Sequence, residues 1–594
     1  MDEKENSPRK AWLSALEMTA PIVDRPTNTL PVLIDMLVDK FGPAPAIISE
    51  HRILSYRGLV EEANCYAIWA LRQKLAFGDV ICLLMDNSPE YFAIWLGITK
   101  VGGTVSLLNT HILGSSLAYC INIVAPKHII AGAKFADRLV AIRNQLSPDL
   151  KLWLHGENVR GFRRVDNENG QYEGGLPTVS ESRSPGILDR ALYIYTSGTT
   201  GLPKAASISH FRLMQWSHWF AGIMGTRADD RMYDCLPMYH SAGGVVAIGA
   251  MLVNGGSVML REGFSAHRFW DDVVQWNCTI FQYIGELCRY LVNSPPHPHE
   301  LDHPLRLCCG NGLTAGVWDK FKQRFHIPRI LEFYAATEGT FSLYNCEGKP
   351  GALGRVPSYL AHRFPMALVQ FDSDNGMSKR DENGLCTRCS SDEVGEAIGK
   401  IVVNGSNLTN QFEGYSDRIA SERKLLRDVF VKGDLWFRTG DLMRQDKQGY
   451  FYFVDRIGDT FRWKGENVST TEVADIICGC PGVIQSVVYG VSIPGTEGRA
   501  GMATAVVTDA FDIGTFRTYL VEHLPEYARP VFLRLTNELQ MTGTFKSQKQ
   551  KLSSQGFDPS FTPEPIFFND PACKSFVRID SGLYEHILTG QIRT

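Results

Sequence analysis

Residues 193–205 constrain this chain more than any other segment of its sequence. The segment is an apolar run followed by a turn of hydroxyl residues and glycines, and a proline and a lysine close the turn. The turn and its closure contain Thr196, Ser197, Gly198, Thr199, Thr200, Gly201 and Lys204. Glycine lets the backbone pass close to an anion, and hydroxyl and amide groups donate hydrogen bonds to it. The segment is therefore predicted to be a strand and a loop that holds phosphate.

The spacing of this loop differs from that of a Walker A loop, in which the lysine directly follows a glycine and precedes Ser or Thr. Many segments rich in Ser, Thr and Gly are surface linkers. A linker does not explain the apolar run before the loop or the Pro203–Lys204 closure after it. The phosphate-binding interpretation is therefore the better of the two.

Composition limits the classes of protein to which the chain can belong. Its 594 residues are 44% hydrophobic, which is enough for a large core and more than one domain. The net charge is −4, with no basic stripe of the kind that binds nucleic acid. Fourteen cysteines in so long a chain do not form a disulfide framework, so a reducing compartment is expected.

The location of the protein follows only in outline from the sequence. The first ten residues are charged and contain no apolar signal core. The uncharged stretch 243–260 is interrupted by Asn254 and two glycines, so a buried helix followed by a strand is predicted there, not a membrane span. We expect an intracellular protein, either cytoplasmic or peripheral on a peroxisomal or endoplasmic reticulum membrane, and not a secreted one.

The first part of the chain alternates between helix and strand patterns. Ser55 and Gly78 bracket one helix, residues 80–85 form a buried strand, and a second helix begins at Ser88 and ends before Gly102. This rhythm predicts an α/β fold with a parallel sheet covered by helices. Charged residues and glycines become denser after residue 432, and residues 455–459 are typical of a domain boundary. We predict a large N-terminal domain, 1–457, and a small mobile C-terminal domain, 458–594.

Four further segments of the sequence carry side chains that can bind a ligand. His240 lies in the segment 236–241, and a Gly-Asn-Gly turn occupies 310–312. The segment 334–339 contains an aromatic ring that can stack on a purine and a carboxylate that can hold Mg²⁺ through oxygen. The segment 437–441 ends in a carboxylate, whose two oxygens suit a diol. The order of these segments after the phosphate loop favours a functional role for their side chains. The alternative, that each is an isolated buried or surface residue, does not explain this order.

Taken together, these motifs resemble those of the adenylate-forming superfamily, which includes acyl-CoA synthetases, firefly luciferase and peptide-synthetase adenylation domains. The segments 283–290, 455–468 and 542–546 resemble the fatty-acid transport protein and very-long-chain acyl-CoA synthetase branch in particular. The resemblance covers roughly residues 45 to 575. It implies the adenylate-forming fold, with a large N-terminal multi-subdomain α/β domain and a small mobile C-terminal α+β domain.

The resemblance also implies roles for individual residues. It assigns nucleotide or coenzyme contacts to Thr196, Ser197, Gly198, Thr199, Thr200, Gly201, Lys204, Gly310, Asn311, Gly312, Tyr334, Ala335, Thr337, Asp441, Arg456 and Gly465. Within that set, Asp441 binds the ribose hydroxyls, and Gly465 lets the pantetheine arm of coenzyme A pass. Catalytic roles fall to Lys546, His240, Thr196 and Glu338, and Mg²⁺ is assigned to Glu338 and Thr196.

The implied reaction has two steps that use ATP, Mg²⁺ and coenzyme A. A carboxylate attacks the α-phosphate to give acyl-AMP, and CoA then takes the acyl group after the C-terminal domain rotates about Gly458. Lys546 is expected to act in the first step only. Lys549 and Lys551 lie close to Lys546 in the sequence and are the same residue type. Substitution of Lys549 is expected to change neither step, so it serves as a control.

The acid and the acceptor remain open at this point. The expected substrate is a long- or very-long-chain fatty acid, and the alternative substrate is a specialised carboxylic acid of secondary metabolism. Loading of a carrier-protein pantetheine is a rival reaction, although no carrier domain follows in this sequence. A fatty-acid uptake protein is a rival of another class. Uptake by trapping the acid as its CoA ester is compatible with both interpretations, the ligase and the uptake protein.

Overall fold

The computed structural model describes residues 7–169, 184–196, 202–372, 375–402, 408–464, 466–494, 496, 498–539 and 549–592. Within these residues two large sheets form the first part of the fold. One sheet has eight strands, in the order Ser342–Asn345, Ile330–Ala335, Leu307–Asn311, Ile280–Ile284, Arg231–Asp234, Ser257–Leu260, Pro45–Ile48 and Ile53–Ser55. The six central strands run parallel and the two edge strands antiparallel.

The second large sheet carries the predicted phosphate loop. Its seven strands are, in order, Arg163–Arg164, Lys151–His155, His128–Gly132, Val80–Leu84, Thr104–Leu107, Arg190–Thr196 and Lys204–Ser209. Only the last pair is antiparallel among these described strands. The predicted parallel sheet is thus confirmed, and the two strands that flank the predicted phosphate loop pair antiparallel at its edge.

A third, antiparallel sheet follows in the chain. It contains Met377–Ser378, Met366–Asp372, Val394–Lys400, Leu435–Gln445 and Leu425–Arg427, and Phe451–Arg456 also pairs with Leu435–Gln445. The last part of the chain forms a hairpin, Phe461–Trp463 with Glu466–Val468, and a mixed sheet of Val483–Val491, Ala500–Val507, Phe532–Thr536, Ile566–Asp570 and Ser575–Arg578.

Two helices begin directly after the serine caps that the sequence predicts, although the first ends at Arg72, before the predicted Gly78. Ser55 accepts a hydrogen bond from the Gly58 amide at 3.1 Å, and Ser88 accepts one from the Tyr91 amide at 3.2 Å. The α-helices are Pro8–Thr19, Leu30–Phe41, Tyr56–Arg72, Pro89–Lys100, Gly114–Asn122, Ala136–Ala141, Val165–Asn169, His210–Met224, Ile248–Leu252, Phe269–Gln275, Gly285–Asn293, Ala315–Arg324, Arg418–Glu422, Thr470–Cys478, Ile513–His523, Lys549–Gln555 and Ser581–Leu588.

The uncharged stretch 243–260 folds as predicted. A π-helical turn, Ala242–Ala247, continues into the buried helix Ile248–Leu252, and the strand Ser257–Leu260 follows after the glycines. No helix within the described parts of the chain has both the length and the apolar character needed to cross a membrane.

The C-terminal part has a hydrophobic core of its own. Every buried member of that cluster lies between Phe461 and Ile587, and aromatic packing of Phe532 on Phe557, with ring centroids 4.1 Å apart, lies inside it. The larger cluster of the N-terminal part runs from Trp12 to Leu360. The separation of the cores supports the two-domain organisation, while the boundary after residue 457 stays a prediction.

Candidate active site

An antiparallel hairpin frames the predicted phosphate loop. In its register Thr196, at the end of one strand, faces Lys204, at the start of the next. The side chains of both residues are half-buried. Ser197, Gly198, Thr199, Thr200 and Gly201 lie outside the described residues. The hairpin thus places a hydroxyl and an ammonium group at the base of the loop.

A buried carboxylate lies beside this hairpin. The Tyr415 hydroxyl donates to Oε1 of Glu338 at 2.5 Å, and both residues are less than 10% exposed. Nζ of Lys204 lies 5.6 Å from the centre of the Tyr415 ring. Nζ of Lys424 lies 3.8 Å from Oε1 of Glu338 and donates to the Thr439 carbonyl at 3.0 Å. Two ammonium groups and one carboxylate therefore share a small, partly desolvated region.

The pKa shifts in this region follow from burial and from the neighbouring charges. Burial raises the pKa of the Tyr415 phenol, and the negative charge of Glu338 raises it further, while a hydrogen bond with Thr196 acts in the opposite direction. Burial lowers the pKa of Lys424; Glu338 and Asp441 oppose this shift, and Lys204 reinforces it. Tyr415 therefore remains a neutral hydrogen-bond donor, and the ammonium groups are arranged to meet an anion.

Tyr415 reaches this position because its segment pairs with the hairpin. The Ser207 amide donates to the Gly414 carbonyl at 3.0 Å, and the Ser416 amide donates to the Ala205 carbonyl at 2.9 Å. Residues 414–416 thereby extend the hairpin by one short antiparallel bridge. Main-chain hydrogen bonds thus hold the backbone of Tyr415 beside the hairpin, and its hydroxyl contacts Glu338.

Arg212 joins the same segment to the loop that carries Thr337. Its Nη1 donates to the Thr337 carbonyl and its Nη2 to the Gln411 carbonyl, both at 2.9 Å. Its Nε lies 3.4 Å from Oε1 of Glu413, and Arg212 is 5% exposed. A buried guanidinium has five donors to satisfy, so this arrangement fixes both loops at once.

A second cluster of polar side chains surrounds Asp441. The Tyr334 hydroxyl donates to Oδ2 of Asp441 at 2.5 Å, and Nε of Arg456 lies 3.5 Å from Oδ1. Asp441 and Arg456 face each other on paired strands. Burial raises the pKa of the Tyr334 phenol, and the charge of Asp441 adds to the shift. The structure thus brings together three residues that lie in three separate segments of the sequence.

The Gly-Asn-Gly turn is packed tightly from below. A Cβ on Gly310 would lie 2.1 Å from the Tyr283 carbonyl oxygen, and Gly312 has a φ of +80°. Oε1 of Glu332 accepts from the Leu313 amide at 3.1 Å, and Oε2 accepts from the Tyr283 hydroxyl at 2.5 Å. Burial raises the pKa of Glu332 to about 8. This carboxyl fixes the end of the strand that carries Gly310, Asn311 and Gly312.

His240 lies in the turn before the π-helical segment. Its amide donates to the Pro237 carbonyl at 3.1 Å, and its ring lies 4.6 Å from that of Tyr239. The hydroxyls of Ser241 and Thr337 are 3.3 Å apart, so this turn meets the loop of Glu338. Ala335, on the same strand as Tyr334, is exposed. The roles assigned to His240 and Ala335 stay predictions.

At the junction between the two domains, the contacts of Lys549 differ from the expectation. Gly458 has a φ of +97°, a conformation that favours glycine. Lys549 is not a peripheral lysine: its Nζ donates to Thr470 Oγ1 at 2.6 Å and lies 3.4 Å from Oδ2 of Asp459. Lys549 therefore ties the last domain to the junction and is unsuitable as a neutral control. Lys546 and Gly465 lie outside the described residues.

The sequence motifs missed several residues that build this site. Tyr415, Lys424, Arg212 and Glu332 belong to no segment that the sequence analysis singled out. An Arg in a helix and a Glu in an apolar strand are unremarkable until their burial is known. The one available signal was Glu332, because a lone acid inside the apolar run 330–335 needs a partner.

Comparison with known proteins agrees with this geometry. The family model described as AMP-binding enzyme matches residues 35–409, and that of the AMP-binding enzyme C-terminal domain matches 472–546. The long-chain fatty acid transport protein 1 of Mus musculus is 41% identical over 574 residues, covering 95% of this chain and 88% of its own. The chain therefore belongs to the AMP-binding enzyme family.

Solved structures confirm the adenylate-forming fold. An anthranilate CoA ligase in complex with anthranoyl-AMP superposes with a TM-score of 0.75 at 21% identity, over 89% of this chain and 97% of its own. ATP-bound MatB from Rhodopseudomonas palustris gives 0.72 at 23% identity, over 89% and 99%. The predicted class of enzyme, an AMP-forming acid–CoA ligase that uses ATP and coenzyme A, is confirmed.

Proposed function

We propose that the protein activates a long- or very-long-chain fatty acid through acyl-AMP and transfers the acyl group to coenzyme A. One observation carries the proposal. Lys204, Lys424 and Glu338 lie around Tyr415, beside the hairpin that frames the predicted phosphate loop. The acid is inferred from the name of a relative that is 41% identical over nearly the whole chain, a long-chain fatty acid transport protein.

The first step joins two anions, so its main requirement is positive charge. An oxygen of the fatty-acid carboxylate attacks the α-phosphorus, an acyl–phosphate bond forms, and the bond to pyrophosphate breaks. Lys204 and Lys424 neutralise charge that develops on the phosphate oxygens, and Lys546 adds a third cation from the C-terminal domain. The Thr196 and Thr337 hydroxyls orient the phosphates.

Mg²⁺ fits the donor set at Glu338. Protein sites for Mg²⁺ use one or two carboxylates together with substrate phosphates and water. Glu338 supplies one buried carboxylate and Thr196 a hydroxyl, and no cluster of three or more His, Cys, Asp or Glu competes for a metal in the described parts of the chain. When bound there, Mg²⁺ would neutralise charge on the leaving pyrophosphate.

The nucleoside is held on the other side of the site. Asp441 accepts hydrogen bonds from the ribose hydroxyls, and Tyr334 and Arg456 hold that carboxylate in place. The purine lies against the ring of Tyr334 and the backbone of Gly310, Asn311 and Gly312. Small residues in that turn leave the flat space that a purine needs.

The second step uses the same acyl carbon from another direction. The thiolate of coenzyme A attacks the carbonyl carbon of acyl-AMP, and AMP leaves. The C-terminal domain turns at Gly458, which removes Lys546 and brings the segment of Gly465 to the pantetheine arm.

An acid panel tests the substrate assignment. Fatty acids of increasing length, benzoate-type acids and malonate are each incubated with ATP, Mg²⁺ and CoA, and the thioester is measured. We expect long and very long fatty acids to give the highest kcat/KM. A preference for an aromatic or short acid would show that a specialised acid of secondary metabolism is the substrate.

Lys546→Ala separates the two steps. We expect ATP-dependent acyl-AMP formation to fall by on the order of 10² or more, while synthetic acyl-AMP and CoA still give acyl-CoA at a substantial rate. Lys551→Ala, an exposed position in the same domain, is the control. Equal slowing of both steps by Lys546→Ala would remove it from the proposed role.

Uptake of fatty acids is a second candidate function, favoured by the word "transport" in the relative's name. Conversion to the CoA ester would trap the acid inside a cell, so uptake and ligase activity are expected to fall together in Lys546→Ala. Uptake that persists without ligase activity would identify a separate transport function.

A further inference from the structure

The helix Gly285–Asn293 lies between the purine-binding turn and the C-terminal domain. At its start, a Cβ on Gly285 would lie 1.8 Å from the Gly312 carbonyl oxygen, so the helix is packed directly against the turn. The preceding strand ends at Ile284, one residue after Tyr283, whose hydroxyl bonds Glu332 beneath the same turn. The helix and the turn are therefore in direct contact.

The outer side of this helix contacts the C-terminal domain through a compact polar cluster. Nη2 of Arg289 bonds both carboxylate oxygens of Glu286, at 2.5 and 2.6 Å. Across the interface, Nε2 of Gln485 donates to Oε1 of Glu286 at 2.7 Å, and Nη1 of Arg289 donates to Sγ of Cys478 at 3.0 Å. The Glu286 and Arg289 side chains are 16% exposed.

Burial in this interface also affects Asp475, which lies on the helix Thr470–Cys478. Desolvation raises its pKa to about 6; the positive charge of Arg289 opposes this shift, and Glu286 and Glu472 reinforce it. Arg289 thus interacts with groups on both sides of the interface. Side chains from both domains therefore interact within one polar cluster.

The turn that is predicted to face the site during thioester formation is exposed in this orientation. It joins the strands Phe461–Trp463 and Glu466–Val468, and both Lys464 and Glu466, which flank Gly465, are exposed. Because Lys464 and Glu466 are not buried against the N-terminal domain, the orientation described differs from the one predicted for thioester formation.

We propose that Glu286, Arg289 and Gln485 form a latch that holds the C-terminal domain in the orientation for acyl-AMP formation and links that orientation to the purine-binding turn. The inference rests on the proposed two-step function and deepens it. The three residues are positioning residues, since none of them contacts the reacting atoms. The latch must open before thioester formation.

Exchange of the interdomain pair provides the test. Gln485→Glu places a second carboxylate against Glu286, and such a like-charge contact is unfavourable. Glu286→Gln removes the acceptor charge, and the double variant Glu286→Gln with Gln485→Glu restores a donor and an acceptor in reversed positions. Gln591→Glu, an exposed change of the same chemistry in the same domain, is the control.

We expect Gln485→Glu to slow pyrophosphate release by about tenfold or more, while acyl-CoA formation from synthetic acyl-AMP is unchanged or faster. We expect the double variant to return pyrophosphate release to within about threefold of the unmodified protein, and Gln591→Glu to change neither step. Equal slowing of both steps, or no rescue in the double variant, would overturn the latch.

Hydrogen exchange tests the latch without catalysis. We expect faster amide exchange in Gly285–Asn293 and Thr470–Cys478 for Gln485→Glu and not for Gln591→Glu. Unchanged exchange would overturn the latch whatever the activity. The two proposals can fail separately. If the unmodified protein forms no acyl-AMP with any acid, the proposed function is refuted. An exchange difference between Gln485→Glu and the unmodified protein would in that case still support the interdomain contact.

Discussion

Glu338 gains its chemical character from its neighbours. It accepts a hydrogen bond from Tyr415 and lies 3.8 Å from the Lys424 ammonium group. Glu338→Gln keeps the size and the acceptor atom but removes the charge. We expect pyrophosphate release at saturating acid to fall by on the order of 10² or more, with a greater need for Mg²⁺. Tyr415→Phe should have a smaller effect, and release near the unmodified rate in Glu338→Gln would exclude the metal role.

Asp441 is buried and holds two partners, so its removal affects both binding and local order. Asp441→Ala should weaken ATP binding by about 1.5–3 kcal/mol, because a charged hydrogen-bond acceptor for the ribose is lost. The KM for ATP measures this effect, and 2′,3′-dideoxy-ATP should lose much less affinity on the same substitution. If ATP affinity is unchanged while the unfolding temperature falls, Asp441 only stabilises the strand pair.

Glu332 gives a prediction about pH. Its pKa is about 8 in the folded protein because burial disfavours the charged form, against the usual 4.5. The folded state therefore holds a proton that the unfolded state releases, and this group makes the protein less stable as the pH rises from about 5 to 8. In Glu332→Gln this loss, about 1.4 kcal/mol per pH unit, should be absent.

Urea unfolding of both proteins between pH 5 and 9 measures the difference. The free energy of unfolding of Glu332→Gln minus that of the unmodified protein should increase across the window and level off above pH 8. A difference that does not depend on pH would show that Glu332 keeps its ordinary pKa. Other buried acids, such as Asp234, are present in both proteins and cancel.

At the scale of elements, the junction near Gly458 depends on backbone conformation and on one lysine. Proline fixes φ near −65°, so Gly458→Pro would distort a residue at +97° and would not simply stiffen a hinge. Lys549 gives the cleaner change. It anchors the start of the helix Lys549–Gln555 to Thr470, in the same domain, and to Asp459, next to the junction.

Lys549→Met removes the ammonium group and keeps the aliphatic stem. We expect a loss of about 1–2 kcal/mol in the stability of the C-terminal part, the lower range for a charged hydrogen bond because the side chain is partly exposed. Lys551→Met is the matched comparison, and equal behaviour of the two variants would contradict the anchoring role.

At the scale of the whole molecule, the C-terminal part has a hydrophobic core separate from those of the N-terminal part in the described residues, which predicts two unfolding events. Phe532 is fully buried in the C-terminal core and stacks on Phe557. Phe532→Ala should destabilise that core by about 3–5 kcal/mol. In scanning calorimetry the smaller transition should move to lower temperature while the larger stays within a few degrees. A single transition that shifts as a whole would mean that the domains unfold together.

Motifs with regular local chemistry were predictable. The caps at Ser55 and Ser88, the strand before the phosphate loop and the helix–strand unit 243–260 all depend on neighbours in sequence, and the structure confirms them. Thr337 and Glu338 were named from a motif. Their partners Arg212 and Tyr415 were not, because contacts over more than seventy residues leave no local pattern.

The sequence by itself determined the family, the class of reaction, the order of the nucleotide-binding segments and the alternation that builds a parallel sheet. These properties are carried by short motifs and by apolar periodicity, which act over a few residues. Only the tertiary structure decided that Tyr415 donates to Glu338, that Lys549 secures the junction and that Glu286 meets Gln485 across the domains. Such pairs arise when distant segments exclude water together, and burial is a property of the packed molecule, not of any one segment.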